Sequence, residues 1–187
     1  MKNGKNIRIF SKKEKSKYSV LKKFFINLIA LIITVFFLFN FLKNNYAINR
    51  SSSITTGVYK LYPLENNIKK GDIVVFDVSD ELFNYMLDRG YINKYTKSFI
   101  KRVAGVPKDE IEINKDLKIN GKIIKENLYK KDSLGRYLPL KEGKYTLKKD
   151  EYFLVGTHIR SFDSSYMGII KKEQIKNKAK LIYSFEE

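Results

Sequence analysis

Ser53 and Lys101 bring a hydroxyl and an amine, each inside an unusual local sequence. Ser53 lies in Asn49-Arg50-Ser51-Ser52-Ser53-Ile54-Thr55-Thr56-Gly57-Val58-Tyr59, and Lys101 in Phe99-Ile100-Lys101-Arg102-Val103-Ala104-Gly105-Val106-Pro107. A serine becomes a nucleophile when a nearby base takes its proton, and an amine can be that base if it is kept neutral. The two residue types therefore suffice for hydrolysis without histidine. Lysine ordinarily titrates near ~10.4 and is charged at neutral pH. Desolvation in apolar surroundings lowers that value by several units. Phe99, Ile100, Val103, Ala104 and Val106 supply such surroundings. In a strand, alternation points Lys101, Phe99 and Val103 to one face and Ile100 and Arg102 to the other. Lys101 then sits inside and Arg102 in solvent. Lys97 is the nearest rival base, but it precedes the apolar run and should be wetter.

Composition narrows the alternatives. The chain has 187 residues, no cysteine and a single histidine, His158. Disulfides, thiolate catalysis, cysteine-ligated zinc and multi-histidine metal sites are excluded. No metal or cofactor is expected. His158 reads as a loop residue rather than a catalytic one. The formal net charge is +17, but the lysines are scattered along the whole chain. They form no single basic helix or aromatic-interleaved stripe, so nucleic acid is not an expected partner.

The serine must be positioned by the segment before it. Residues 24 to 42 read FFINLIALIITVFFLFNFL, without a charge, and with Asn27, Thr34 and Asn40 as the polar exceptions. Nineteen residues at about 1.5 Å each span roughly 28 Å, close to the hydrocarbon thickness of a bilayer. The preceding arm carries Lys2, Lys5, Arg8, Lys12, Lys13, Lys15, Lys17, Lys22 and Lys23 against Glu14 alone. The positive-inside rule keeps residues 1–23 in the cytoplasm and places residues 43–187 outside. A cleaved secretory signal is the competing reading. It would have a shorter apolar run of about 7 to 15 residues and a small-x-small site, and Asn40-Phe41-Leu42-Lys43-Asn44 offers none. The basic arm is expected to stay disordered until it meets anionic headgroups.

Residues 43 to 52 read as a polar linker, which would leave Ser53 near the bilayer surface. The rest reads mainly as β-structure. Strands are expected at 71–76, 98–106, 110–113, 152–155 and 179–183, with a hairpin at Asn120-Gly121 between apolar runs. Only residues 79–97 read as helical, with Leu82, Tyr85, Met86 and Leu87 toward one face. Ile54, Val58 and Leu61 are either core or membrane-facing. About 140 outer residues are enough to bury a core.

In this order the motifs resemble the bacterial type I signal peptidases, peptidase family S26. Several details are closest to the conjugative-transfer, TraF-type branch. Asn49 to Tyr59 resembles that branch's nucleophile motif, and Arg89-Gly90-Tyr91-Ile92 its segment before the lysine strand. Asp132-Ser133-Leu134-Gly135-Arg136-Tyr137-Leu138-Pro139 and Ser161-Phe162-Asp163-Ser164-Ser165-Tyr166-Met167-Gly168 match two later segments. The resemblance runs from about residue 20 to the end of the chain. Three positions depart from it: Thr55 stands for a usual proline, Lys108 for the glycine of a Pro-Gly-Asp turn, and Ser165 for an arginine after Asp-Ser. The last departure would remove a salt bridge that braces the site.

The resemblance implies a β-rich catalytic domain behind one N-terminal transmembrane helix, anchored in the cytoplasmic membrane. It implies a serine endopeptidase that cleaves export signals, or matures a pilin-like conjugation precursor, through an acyl-enzyme. Ser53 would be the nucleophile and Lys101 the general base. Ser53 N–H and the Ser51 hydroxyl would form the oxyanion hole. Ser161 would orient the lysine amine, and Asp163 would brace the region without reacting. Exported precursors and the lipid bilayer are the implied partners. A non-catalytic anchored component of a secretion or conjugation complex is the alternative from another class.

Overall fold

The computed structural model describes residues 12–64, 67–96 and 98–186, with side chains from residue 17 onward. In chain order the elements are α1 (Lys12–Asn45), β1 (Tyr46–Asn49), β2 (Gly57–Pro63), β3 (Ile73–Phe76), α2 (Asp80–Asp88), β4 (Phe99–Gly105), β5 (Glu110–Ile113), β6 (Leu117–Ile119), β7 (Lys122–Lys125), β8 (Gly143–Thr146), β9 (Glu151–Val155), α3 (Ser164–Met167), β10 (Ile170–Lys171) and β11 (Ile175–Ser184). The described residues fall into two compact units, divided between Asn44 and Asn45.

The first unit is α1. Its stretch Lys17–Asn45 is long and apolar enough to cross a membrane, with a mean hydropathy of 2.5. Its apolar side chains are exposed, and Phe36, Phe37 and Phe39 each show more than 60% of their surface. Two of the polar exceptions are satisfied within the helix. Thr34 Oγ1 donates to the Ala30 carbonyl at 2.9 Å and Asn40 Nδ2 to the Phe36 carbonyl at 2.8 Å. Such back-bonding lets a polar side chain sit in an apolar environment without an orphaned donor. The expected disordered arm is corrected in part, because the helix already begins at Lys12. Residues 1–11 lie outside the described residues.

The second unit is β-rich, as expected. Seven strands form one sheet in the order β1-β2-β11-β3-β4-β9-β10, and four form another in the order β7-β6-β5-β8. Every paired strand runs antiparallel. Strand β9 explains how the sheets share a core. Tyr152 and Leu154 pack with Val74, Phe76 and Val103, whereas Phe153 and Val155 pack with Ile111, Leu117 and Leu147. Alternate side chains of one strand thus enter two clusters, so Tyr152-Phe153-Leu154-Val155 is an unbroken buried run rather than an alternating one.

Turn chemistry agrees with local sequence at the hairpin. Asn120 and Gly121 adopt φ of 51° and 75° between β6 and β7, the left-handed pair that a two-residue hairpin requires. Two other expectations are corrected. The linker at 43–52 instead contains the end of α1 and the whole of β1, whose Ile48 and Asn49 pair with Val58 and Gly57. The helix expected over 79–97 stops at Asp88. Gly90 turns left-handed (φ 70°), its N–H donates to the Leu87 carbonyl, and Tyr91 N–H donates to the Met86 carbonyl. That double bond is a Schellman stop, and Arg89-Gly90 was its sequence signal.

Lys108 shows what its departure from glycine costs. It occupies φ 78° in a turn closed by Asp109 N–H to the Val106 carbonyl at 3.0 Å. Pro107 precedes it, which is the type II arrangement that favours glycine at this position. A side chain there costs roughly 1–2 kcal/mol, partly offset by the smaller entropy loss of a non-glycine residue. Lys108→Gly is therefore expected to stabilise the full chain in detergent by about 0.5–1 kcal/mol. Chemical unfolding would read this as a higher midpoint, and an unchanged or lower midpoint would refute it.

Candidate active site

The Ser53 segment is a turn between β1 and β2, and Asn49 shapes it. Asn49 Nδ2 donates to the carbonyls of Ser51 (2.9 Å), Ile54 (3.0 Å) and Thr55 (3.1 Å). Its Oδ1 accepts from Ser51 N–H and from the Ser51 hydroxyl, both at 3.1 Å. One buried amide thus replaces the ladder bonds that a turn cannot make. Ile54 anchors the next position at 2% exposure, which settles it as core. Val58 and Leu61 are half-buried. Thr55, where proline was expected, gives its carbonyl to Asn49 and to the Tyr59 hydroxyl at 2.7 Å.

Ser53 is half-buried, and its hydroxyl lies 2.8 Å from that of Ser51. With the Ser51 proton on Asn49 Oδ1, the Ser53 proton points to Ser51 Oγ. Ser53 N–H has no acceptor among the described residues. Its carbonyl accepts from Thr157 N–H at 2.7 Å, which ties the turn to the segment after β9.

Lys101 lies at the centre of β4, opposite Val74 of β3. The burial pattern follows the expected alternation, with Lys101 5% exposed and Arg102 out in solvent. On the other flank Arg102 pairs with Val155, so the next step of the antiparallel ladder sets Lys101 beside Gly156. Burial pushes the Lys101 amine down. Asp163 pushes it up, Lys125 pushes it down again, and the result is about 8.

Gly156 is where these segments converge. A Cβ there would fall inside the Ser161 side chain and 2.5 Å from the Ser53 carbonyl oxygen. Ser161 is buried, and its hydroxyl has no partner among the described residues. The structure thus brings Ser51, Ser53, Lys101, Ser161 and Asp163 to one junction. Among the described residues no hydrogen bond joins the Ser53 hydroxyl to Lys101, or Ser161 to Lys101. Catalytic contacts in an unliganded site are often long and tighten only with substrate.

Asp163 is fully buried and caps α3. It accepts from Ser165 N–H (3.1 Å), Gly156 N–H (3.1 Å) and Lys125 Nζ (2.5 Å). Lys125 was missed from sequence. Its signal was faint: a lysine closing the apolar pair Ile123-Ile124. His158 is an exposed loop residue whose Nδ1 accepts from Arg160 N–H. Lys97, the rival base, lies outside the described residues. No group of His, Cys, Asp or Glu among the described residues is arranged to hold a metal ion.

The other matched segments clasp each other behind this junction. Phe162 stacks on Tyr166 at 5.5 Å and packs against Tyr91 at 5.4 Å and Tyr85 at 6.1 Å. The Tyr91 hydroxyl donates to Asp132 at 2.6 Å, and Arg136 Nε does so at 2.7 Å. Burial pushes the Asp132 carboxyl up, but these donors and the N–H groups of Arg136 and Leu134 outweigh it and hold it well below the usual carboxylate range.

A match to the family described as signal peptidase, peptidase S26, runs over residues 19–184. The chain is 30% identical to signal peptidase I P of Bacillus subtilis subsp. natto over 192 residues, 94% of this chain and 95% of that protein. It is 29% identical over 113 residues to a probable signal peptidase I-2 of Synechocystis sp., covering 59% of this chain and 46% of that protein. It is 27% identical over 134 residues to signal peptidase I of Bacillus licheniformis, 67% of this chain and 64% of that protein. The chain thus spans about half the length of the Synechocystis relative, about two thirds of the B. licheniformis one and nearly all of the B. subtilis one. A crystal structure of a signal peptidase I from Enterococcus faecalis V583 is similar at a TM-score of 0.36 and 21% identity, over 62% of this chain and 98% of that one. The family match across nearly the whole sequence, with a B. subtilis relative aligned end to end, makes this chain a member of the signal peptidase family S26, whose members are serine endopeptidases.

Proposed function

We propose that this chain is a membrane-anchored serine endopeptidase that cleaves signal peptides from exported precursors, with Ser53 as nucleophile and Lys101 as general base. The observation that carries the reading is a buried lysine amine pushed down to about 8, set beside the glycine against which Ser53 and Ser161 pack. Such an amine is neutral in a useful fraction of molecules near neutral pH. The neutral Lys101 takes the Ser53 proton as Oγ attacks the scissile carbonyl. Ser53 N–H and the Ser51 hydroxyl, turned from Asn49, donate to the developing oxyanion. One such donor is typically worth about 3–4 kcal/mol. Collapse breaks the C–N bond, and Lys101 gives its proton to the leaving amine. Lys101 then takes a proton from water as its oxygen attacks the ester carbonyl, and returns that proton to Ser53 Oγ when the ester C–O bond breaks, which restores the neutral amine and the free hydroxyl.

The anchor, residues 24–42, would hold the domain of residues 43–187 on the outer face of the cytoplasmic membrane, with the basic residues 1–23 inside. A precursor's signal emerges there. The substrate would lie extended along a strand edge with small side chains before the cut. A narrower reading makes that precursor a conjugation pilin. It rests on the motif segments at Arg89–Ile92 and Asp132–Pro139, which bond to one another through Tyr91 and Asp132. Mass spectrometry separates a linear product from a circular one made by transpeptidation.

Ser53→Ala and Lys101→Ala should each lower cleavage of an exported precursor by about 10³-fold or more, with unchanged membrane insertion. Undiminished cleavage by either variant refutes the pair. A variant-independent check is the pH profile. Lys101 must be neutral in the free enzyme, so kcat/KM should rise with pH through about 8 and level off above it. A profile flat from pH 6 to 9 would contradict the base. Gly156→Ala should lower kcat/KM by about tenfold or more, because its Cβ displaces both Ser161 and the Ser53 carbonyl. Wild-type kinetics in that variant would show that the junction does not position the pair.

A further inference from the structure

Strand β7 is inside out. Lys122, Ile123 and Ile124 are exposed, while Lys125 is 8% exposed. The cause is a bulge: Lys118 pairs with Ile123 but Leu117 pairs with Lys125, so Ile124 is an extra residue. A bulge rotates the residues beyond it and often re-aims one side chain. Here it turns an ammonium into the interior, where Nζ lies 2.5 Å from Asp163 Oδ2 and 3.3 Å from the His158 carbonyl. A strand that exposes two isoleucines to bury a lysine breaks the usual pattern, and such breaks concentrate at functional sites.

Asp163 faces two amines. It acts on Lys101, as does Lys125. Among the described residues the other neighbours of Lys101 carry no rival charge toward it. Val74 lies opposite on β3, and the nearest acid there, Asp72, is paired with Lys178 at 2.8 Å. Strand β9 has its titratable groups, Glu151 and Tyr152, at the end remote from Gly156. The Ser53 turn brings hydroxyls and the exposed Arg50, and the loop after β9 brings His158 and Arg160. Arg160 is drawn off over the Tyr129 ring at 4.9 Å. Among the described residues Asp163 is thus the one carboxylate that acts on Lys101, and both its oxygens are already engaged, Oδ2 by Lys125 and Gly156 N–H and Oδ1 by Ser165 N–H.

We propose that Lys125 is a positioning residue for the Ser53–Lys101 pair: its buried ammonium occupies Asp163, so this carboxylate braces the loop instead of pairing with the Lys101 amine. The inference rests on the assignment of Lys101 as base. A dry carboxylate without its own cation would hold a neighbouring amine protonated, and a protonated Lys101 cannot activate Ser53. Lys125 prevents this by neutralising Asp163 and by repelling a second positive charge.

The test is the pH dependence of kcat/KM for the full chain in detergent, on a fluorogenic Ala-x-Ala peptide. Lys125→Met should move the acidic limb up by about one pH unit, a loss of about tenfold at pH 7 that largely disappears above the limb. Lys125→Arg, which keeps the charge, should restore the limb. Asp163→Asn should move the limb the opposite way, to lower pH, and it serves where Lys125→Met does not fold. A purely structural ion pair predicts lower activity at every pH with an unmoved limb. That result in Lys125→Met, or an unmoved limb in Asp163→Asn, overturns the proposal. Lys101→Ala separates the two ideas. If it retains activity, the assignment of the base fails. If it is inactive while both limbs stay fixed, only the role of Lys125 fails.

Discussion

The candidate site depends on one close approach, at a residue with no side chain. Gly156 comes directly after the last residue of β9, and three segments meet on it. Its N–H donates to Asp163, its Cα faces Ser161 and the Ser53 carbonyl, and the next N–H, of Thr157, donates to that same carbonyl. Two consecutive backbone donors therefore fix the Ser53 turn and the Asp163 loop to the strand beside Lys101. A methyl group would part them, and misplacement by about 1 Å can cost a hundredfold in rate. The parts come from distant stretches of chain, so no local sequence preference could hold them together.

That approach is rigid because β9 is buried on both faces. Phe153 and Val155 belong to one cluster, Tyr152 and Leu154 to the other. Close-packed interiors leave few alternative positions for such a strand. The same packing keeps Lys101 dry, since its strand runs between β3 and β9. Rigidity and desolvation thus have one source. The strand that fixes where the amine sits also removes the water that would keep it charged.

Features that depend on local rules are legible in the sequence. Period-2 alternation separates Lys101 from Arg102, and Asn120-Gly121 announces its hairpin. Legibility ends where tertiary pairing overrides composition. Residues 46–49 look like linker because Lys43-Asn44-Asn45 before them and Asn49-Arg50-Ser51-Ser52 after them are polar, yet β2 and the turn supply the partners that make them a strand. The helix expected at 79–97 is too long because apolar spacing outweighs Gly90, which stops it at Asp88. Lys125 is invisible for a different reason. Its burial comes from a bulge opposite Leu117, and no single-chain period predicts which strand carries the extra residue.

The departure at Ser165 becomes intelligible through Lys125. From the family pattern, a serine in place of arginine suggests a lost brace. Ser165 is fully buried, yet Asp163 is not short of a cation, because one arrives from β7 of the other sheet. An arginine at 165 would bring a guanidinium to a carboxylate already paired with the Lys125 ammonium. A buried charge without a counter-charge costs several kcal/mol. With one carboxylate between them, an arginine added beside the inward lysine would lack a counter-charge. The source of the charge also matters mechanically. An arginine two residues from Asp163 would brace the loop to itself, whereas Lys125 ties it to the β6–β7 hairpin and so couples the four-stranded sheet to the junction at Gly156.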